Sequence, residues 1–298
     1  KDFHVNFLTY VNKIYSKLIS MKIQIHIVFD IQESELITPK IIERNLRDSG
    51  AVDITRENIT ETDILPSNFD TFLKNRRNKR LFVNFFGETI LKLHSNNPSS
   101  PISMFVSGCF SDPTECFSCF KGNVSKNDLF SCNIDEGDSR IWFHVSLCEE
   151  KDILIFSKDT DSFMIGLPHI SNLNKNIFIN IGGSKAISEV FIHMNILFQN
   201  ISNDYSLQSM DASGIGRTIQ TVFISSGCDY VSSFKGFSKS FVFETFFKNC
   251  DFICGKDSVK ANLGSLCNTS CEDSDLGFLA FMRLIVFFLL DVNQHFTI

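Results

Sequence analysis

The chain has 298 residues, of which 43% are apolar and 21% charged, and a formal net charge of −6. This length and balance exclude disorder and a fibre and suffice to bury a large core, in one domain or in a domain with a subdomain. The negative total excludes non-specific polyanion binding by the whole surface, so any nucleic-acid contact has to come from local basic stripes.

Residues 1 to 20 lack the basic start, apolar centre and small-residue cleavage site of a secretory leader. The chain starts at Lys1, so it is expected to be a fragment, intracellular and either nuclear or cytoplasmic, with its ten cysteines reduced. Phe7, Leu8, Val11, Ile14, Tyr15 and Leu18 recur at helical spacing, and Ile23, Ile25 and Ile27 then alternate with polar residues as a strand ending at Asp30. The run TPKIIERNLRDSG predicts a helix with Thr38 as N-cap, Pro39 at its first position and Gly50 as its stop. Lys40, Arg44 and Arg47 share one face of it, which by itself reads as a solvated face.

A polar loop over 51–68 and a helical pair over 69–93 follow, the pair carrying the basic run Lys74 to Arg80. PISMFVSG predicts a strand, residues 108–135 a cysteine-bearing loop, DSRIWFHVSLCEE a helix, and DILIFS and NIFINI two further strands. SKAISEVFIHMNILF is expected to be helical, TVFIS a strand leading into GCDY, SKSFVFETFF a helix, and GFLAFMRLIVFFLL a buried C-terminal helix too short for a membrane span. Strands separated by helices predict an α/β fold with a mostly parallel central sheet and helices on both faces.

Acidic residues mark the ends of these elements: Asp30, the pair Glu136 and Asp138, the pair Asp159 and Asp161, and Asp229. Open α/β sheets gather ligands at the carboxyl ends of their strands. Taken singly, each acid also suits a helix or turn cap. Taken together they need divalent cations, because uncompensated neighbouring carboxylates raise one another's pKa and hold protons. Oxygen ligands without a His/Cys set favour Mg²⁺ or Mn²⁺, and two such ions about 4 Å apart suit phosphodiester hydrolysis.

The order of these motifs, VFD, a basic helix, EGDSR, DTD and GCDY with a glycine turn, resembles the flap endonuclease and XPG-type 5′ nuclease superfamily, whose core is PIN-like. The resemblance covers residues 22 to 256 and implies a metal-dependent nuclease of DNA or RNA. Asp30, Glu136, Asp138, Asp159, Asp161 and Asp229 then surround two metal ions, and Lys40 and Arg44 steady the scissile phosphate. Arg47 joins the basic face, while Gly236, Ser238 and Lys239 of GFSK resemble a glycine turn that grips duplex phosphates through backbone N–H groups and a lysine. On this reading residues 1–256 form the nuclease core, with an inserted region over 51–135, and 257–298 a helical extension. The superfamily's first strand, with its aspartate, is expected to be missing, because Asp2 precedes a helix; Phe237 also replaces the usual aliphatic residue.

LPSNFDTFL, CNIDEGDSRIWFH, SKDTDSFMIGL and GFLAFMRLI resemble a multi-copy, mobile-element-associated group of animal proteins, which bears on homology and little on activity. The alternatives are a nucleic-acid-binding homologue that no longer cleaves, a metal-dependent phosphatase and a relic reading frame. Cys109, Cys116, Cys119 and Cys132 offer a zinc site against a bland reading as ordinary reduced cysteines in a loop, and the CxxxC pairs Cys250/Cys254 and Cys267/Cys271 read as buried apolar residues. GIGRT and NIGGSK read as turns, and His144, one helical turn after Arg140, as a satisfied histidine or a neighbour of the site.

Overall fold

A computed structural model of the chain describes residues 5–31, 55–182, 189–204, 207, 212–228, 231, 233–234, 236–256, 258–266 and 271–295. The chain divides into two compact units, Lys1–Cys148 and Glu149–Ile298.

In the first unit, Asn6 caps α1 (Phe7–Ser20) by accepting the Thr9 N–H at 2.8 Å, and Phe7, Val11 and Tyr15 bury one face at i, i+4, i+8 spacing. β1 (Ile25–Val28) is followed by α2 (Phe69–Lys74) and α3 (Arg76–Ser95), then by β2 (Met104–Ser107), which lies parallel to β1. β3 (Cys116–Phe120) and β4 (Asn123–Lys126) continue the sheet antiparallel, in the order β1-β2-β3-β4. The connection Lys121-Gly122 has both residues at positive φ, 48° and 81°, as a two-residue hairpin that follows the strand twist requires. Val11, Tyr15, Ile25, Val83, Ile90 and Met104 belong to the core between α1, α3 and the sheet. α4 (Gly137–Leu147) completes this unit.

The second unit holds β5 (Asp152–Phe156), α5 (Thr160–Gly166), a 3-10 turn (Leu167–His169), β6 (Asn176–Gly182), β7 (Val190–His193) and α6 (Met194–Ser202). α7 (Ala212–Ser225), α8 (Lys239–Lys248), α9 (Cys250–Ile253), a second 3-10 turn (Leu263–Ser265) and α10 (Cys271–His295) follow. β5 pairs parallel with β6, and β6 antiparallel with β7. Ile177, Ile179, Met194, Ile219, Phe246 and Leu284 are fully or almost fully buried.

The α/β class stands, but each sheet is mixed, with one parallel pairing next to antiparallel ones. Three local expectations are corrected. The cysteine loop contains the β3/β4 hairpin. VFIH in the expected helix is strand β7, as its β-branched residues favour, and MNILFQNIS is helical, while residues 184–188 lie outside the described residues. TVFIS belongs to α7, because Ile215, Ile219, Val222 and Phe223 bury a helical stripe. GIGRT lies inside the same helix and not in a turn; a Cβ on Gly216 would sit 2.8 Å from Pro168 Cα, so the glycine permits close packing on the first 3-10 turn. Of NIGGSK, Asn180 to Gly182 end β6 and the rest lies outside the described residues, as does the expected helix over 38–50. Among the described residues no helix is long and apolar enough to cross a membrane.

Candidate metal site and its neighbours

Asp30 follows the end of β1, where Phe29 still donates its N–H to the Ser107 carbonyl at 3.0 Å. Its Oδ1 accepts the Gly137 N–H at 2.8 Å, and Ile31 N–H donates to the Asp135 carbonyl, also at 2.8 Å. Gly137 is the first residue of α4, whose N-cap, Glu136, makes no side-chain capping bond. Asp30 therefore satisfies, from 107 residues upstream, a donor that a helix start otherwise leaves unpaired. Glu136 and Asp138 flank that donor in the chain, so three predicted acids meet the positive end of one helix, where negative charge is favoured. Asp30 Oδ2 lies 3.9 Å from Lys79 Nζ of α3, a residue of the basic run Lys74 to Arg80.

A methyl group on Gly137 would stand 2.7 Å from Asp30 Oδ1, closer than packed atoms allow. Ala raises helix propensity, yet Gly137→Ala is expected to lower stability by about 1–2 kcal/mol by breaking the Asp30 bond. Urea denaturation checks the sign: a more stable variant shows that propensity wins and the bond contributes little.

In the second unit, Phe156, the last residue of β5, pairs with Asn180, and β6 runs on to Gly182 at the same carboxyl edge. Asp159 is the N-cap of α5, with Oδ1 accepting the Asp161 N–H at 3.1 Å, and Asp161 stands in the first turn. The DTD pair is thus brought to one helix start. Asp229, Lys40, Arg44 and Arg47 lie outside the described residues.

Gly236 has φ 92° and open space at its Cβ position, so glycine serves the backbone angle there and not packing. Ser238 caps α8 through the Phe241 N–H at 3.1 Å. Lys239 lies at the start of that helix with Nζ 3.6 Å from the centre of the Phe223 ring, a cation–π contact.

Among the described residues no group of three or more His, Cys, Asp or Glu is placed to hold one metal ion. The donor chemistry at both helix starts, carboxylate oxygen, suits Mg²⁺ or Mn²⁺. Of the two readings of the cysteine loop, zinc is disfavoured: Cys116 and Cys119 are three positions apart on β3, which turns them to opposite faces of the sheet. Burial raises the Cys109 thiol and pushes Cys116 up to about 12, so both stay protonated.

Two constellations escaped the sequence reading. Arg140 of α4 is fully buried and spends its guanidinium on backbone carbonyls: Nε and Nη2 on Ile134 (3.2 and 2.8 Å), Nη1 on Pro113 (3.0 Å) and Nη2 on Cys132 (3.4 Å). One turn later, His144 Nδ1 lies 2.9 Å from His26 Nδ1. The Gln24 amide nitrogen, 3.0 Å from His26 Nε2, can only donate, which puts the His26 proton on Nδ1. His144 Nδ1 then accepts that proton, and its Nε2–H donates to Ser107 Oγ at 3.3 Å. His144 is thereby a satisfied core histidine, the blander of the two expectations.

No protein-family model matches the chain, and comparison with curated proteins finds no significant match.

Proposed function

We propose that the chain is a PIN-like, Mg²⁺- or Mn²⁺-dependent nuclease that cleaves phosphodiester bonds in DNA or RNA. The observation that carries this reading is the long-range bond setting the Asp30 carboxylate on the first turn of α4, which also bears Glu136 and Asp138. The end of the parallel β5/β6 pair, with Asp159 and Asp161 at the start of α5, supports it independently. Asp30, Glu136, Asp138, Asp159, Asp161 and Asp229 would hold the cations, which supply charge neutralisation and an activated water. Lys40 and Arg44 would steady the phosphate, and Arg47 with the Gly236, Ser238 and Lys239 turn would hold the nucleic-acid backbone.

The test is cleavage of 5′-flap and single-stranded oligonucleotides in Mg²⁺ or Mn²⁺. Cation-dependent cleavage is expected, with Asp161→Asn slowing it roughly 100-fold or more, since disturbing even a partner of a metal ligand costs about 10- to 100-fold. Full activity in that variant overturns the ligand assignment.

A second reading, a nucleic-acid-binding homologue without turnover, is favoured by the ammonium of Lys79 facing Asp30 and by the capping bond that occupies Asp159. Tight binding of a branched substrate with no cleavage in either cation selects it.

A further inference from the structure

The pair Cys250/Cys254 belongs to neither acidic helix start. Cys250 opens α9, a helix of one turn, and Cys254 is its C-cap. Their sulfurs stand 3.7 Å apart in a thiol–thiol hydrogen bond. Cys250 is buried, whereas Cys254 is partly open to solvent. Arg283 of α10 reaches the segment just past Cys254: Nη1 donates to the carbonyls of Ile253 (3.2 Å) and Val259 (3.0 Å), and Nη2 to Ser258 Oγ (3.2 Å). Asp251, the acid nearest in sequence, is paired with Lys256 at 2.9 Å. A guanidinium bound only to neutral oxygens in these contacts thus holds the backbone on either side of a partly exposed cysteine that shares a hydrogen bond with its neighbour.

We propose that Cys250 and Cys254 form a reversible redox dithiol, with Cys254 the attacking sulfur and Cys250 the resolving one, oxidised by hydrogen peroxide. This proposal is independent of the nuclease reading.

The electrostatics agree in direction. The Cys254 thiol is held below its ordinary value, first by the bond from Cys250 and then by Arg283, against burial and Asp251. Cys250 is raised, first by that same bond and then by burial, with Cys254, Asp251 and Asp204 adding to it. The two shifts run in opposite directions, the asymmetry that separates attacker from resolver.

In the first step the Cys254 thiolate attacks one peroxide oxygen and the O–O bond breaks. The leaving hydroxide takes up a proton to become water, and Cys254 becomes a sulfenic acid. Cys250 then attacks the Cys254 sulfur, the S–O bond breaks, and the departing hydroxide takes the Cys250 proton as a second water. Two thiols lose two electrons and peroxide gains them.

Side chains four apart on a regular helix hold their Cβ atoms about 5–6 Å apart, whereas a disulfide wants about 3.8 Å. Closure therefore needs the end of α9 to tilt. Its position beyond a single turn, followed by Gly255 at φ 76°, makes that tilt local. The resulting bond is strained, hence easily reduced, as a reversible device requires.

The tryptic peptide 249–256, NCDFICGK, contains both cysteines and no other. Treating the reduced, intact chain with peroxide, blocking the remaining thiols and mapping peptides by mass spectrometry is expected to show an internal disulfide in this peptide. Cys250→Ser is expected to stop at a Cys254 sulfenic acid trapped by dimedone, and Cys254→Ser to leave Cys250 unreacted. Arg283→Gln is expected to slow Cys254 alkylation at pH 7 roughly 3- to 10-fold and move its pH profile upward, while Arg283→Lys preserves both. Wild-type Cys254 over-oxidised to sulfinic acid, joined to Cys267 or Cys271, or left reduced while other thiols oxidise would each overturn the assignment.

Discussion

Arg140→Met is expected to destabilise the first unit by about 2–4 kcal/mol, because it leaves the carbonyls of Pro113, Cys132 and Ile134 without the donors that hold them. Burial of the guanidinium carries its own penalty, shown by its lowered pKa, and removing the charge returns part of the loss. The carbonyls win because three of them, on the irregular stretches before β3 and after β4, depend on one side chain. Arg140→Lys keeps the charge but not the planar fork and is expected to fall short of the wild type as well. Trp142 is the single tryptophan, lies two residues away on the same helix and is buried, so its fluorescence in urea reports on this unit. An unchanged midpoint in Arg140→Met would show that the segment holds itself.

Acidification is expected to loosen the same unit through His26 and His144. Burial lowers His26 to about 4; burial, then His26 and Arg140, lower His144 to about 3, against a smaller opposing effect of the Phe130 backbone. Both folded-state values are depressed, so the folded form binds fewer protons than the unfolded chain below the ordinary histidine value of 6.5. The contribution is complete above that value and is lost as pH falls through the folded values. The loss amounts to roughly 2–4 kcal/mol for this coupled pair. The relay explains the sensitivity: a proton on His144 Nδ1 faces the N–H of His26, and a proton on His26 Nε2 faces the Gln24 amide. Stability measured by urea between pH 7 and 4 is expected to slope less in His26→Gln, which bonds without titrating. Parallel slopes in the two proteins would remove the pair from the account.

What the sequence made legible follows from periodicity. α1, α3, α4 and α8 carry apolar faces or caps at the expected positions, and β1, β2, β5 and β6 their alternating or continuous apolar runs. The local setting of the DTD pair was legible too, since Asp before a helical run is a cap signal. TVFIS reads as a strand because its β-branched residues outweigh a helical stripe that starts six residues earlier, at Ile215. Arg140 was beyond such reasoning. Its partners are backbone carbonyls, which carry no sequence signature, so a buried guanidinium looks like an ordinary exposed one in the helix DSRIWFH. The histidine relay likewise depends on β1 and α4 lying side by side, 118 residues apart in the chain.

The Asp30–Gly137 bond also bears on how the first unit assembles. A helix capped by its own neighbours can start alone, but the first turn of α4 obtains this acceptor only when the chain between residues 30 and 137 has closed into a loop. The entropy of closure is then spent before the cap contributes, which raises contact order and slows folding. Completion of one helix terminus and registration of β1 become a single cooperative event.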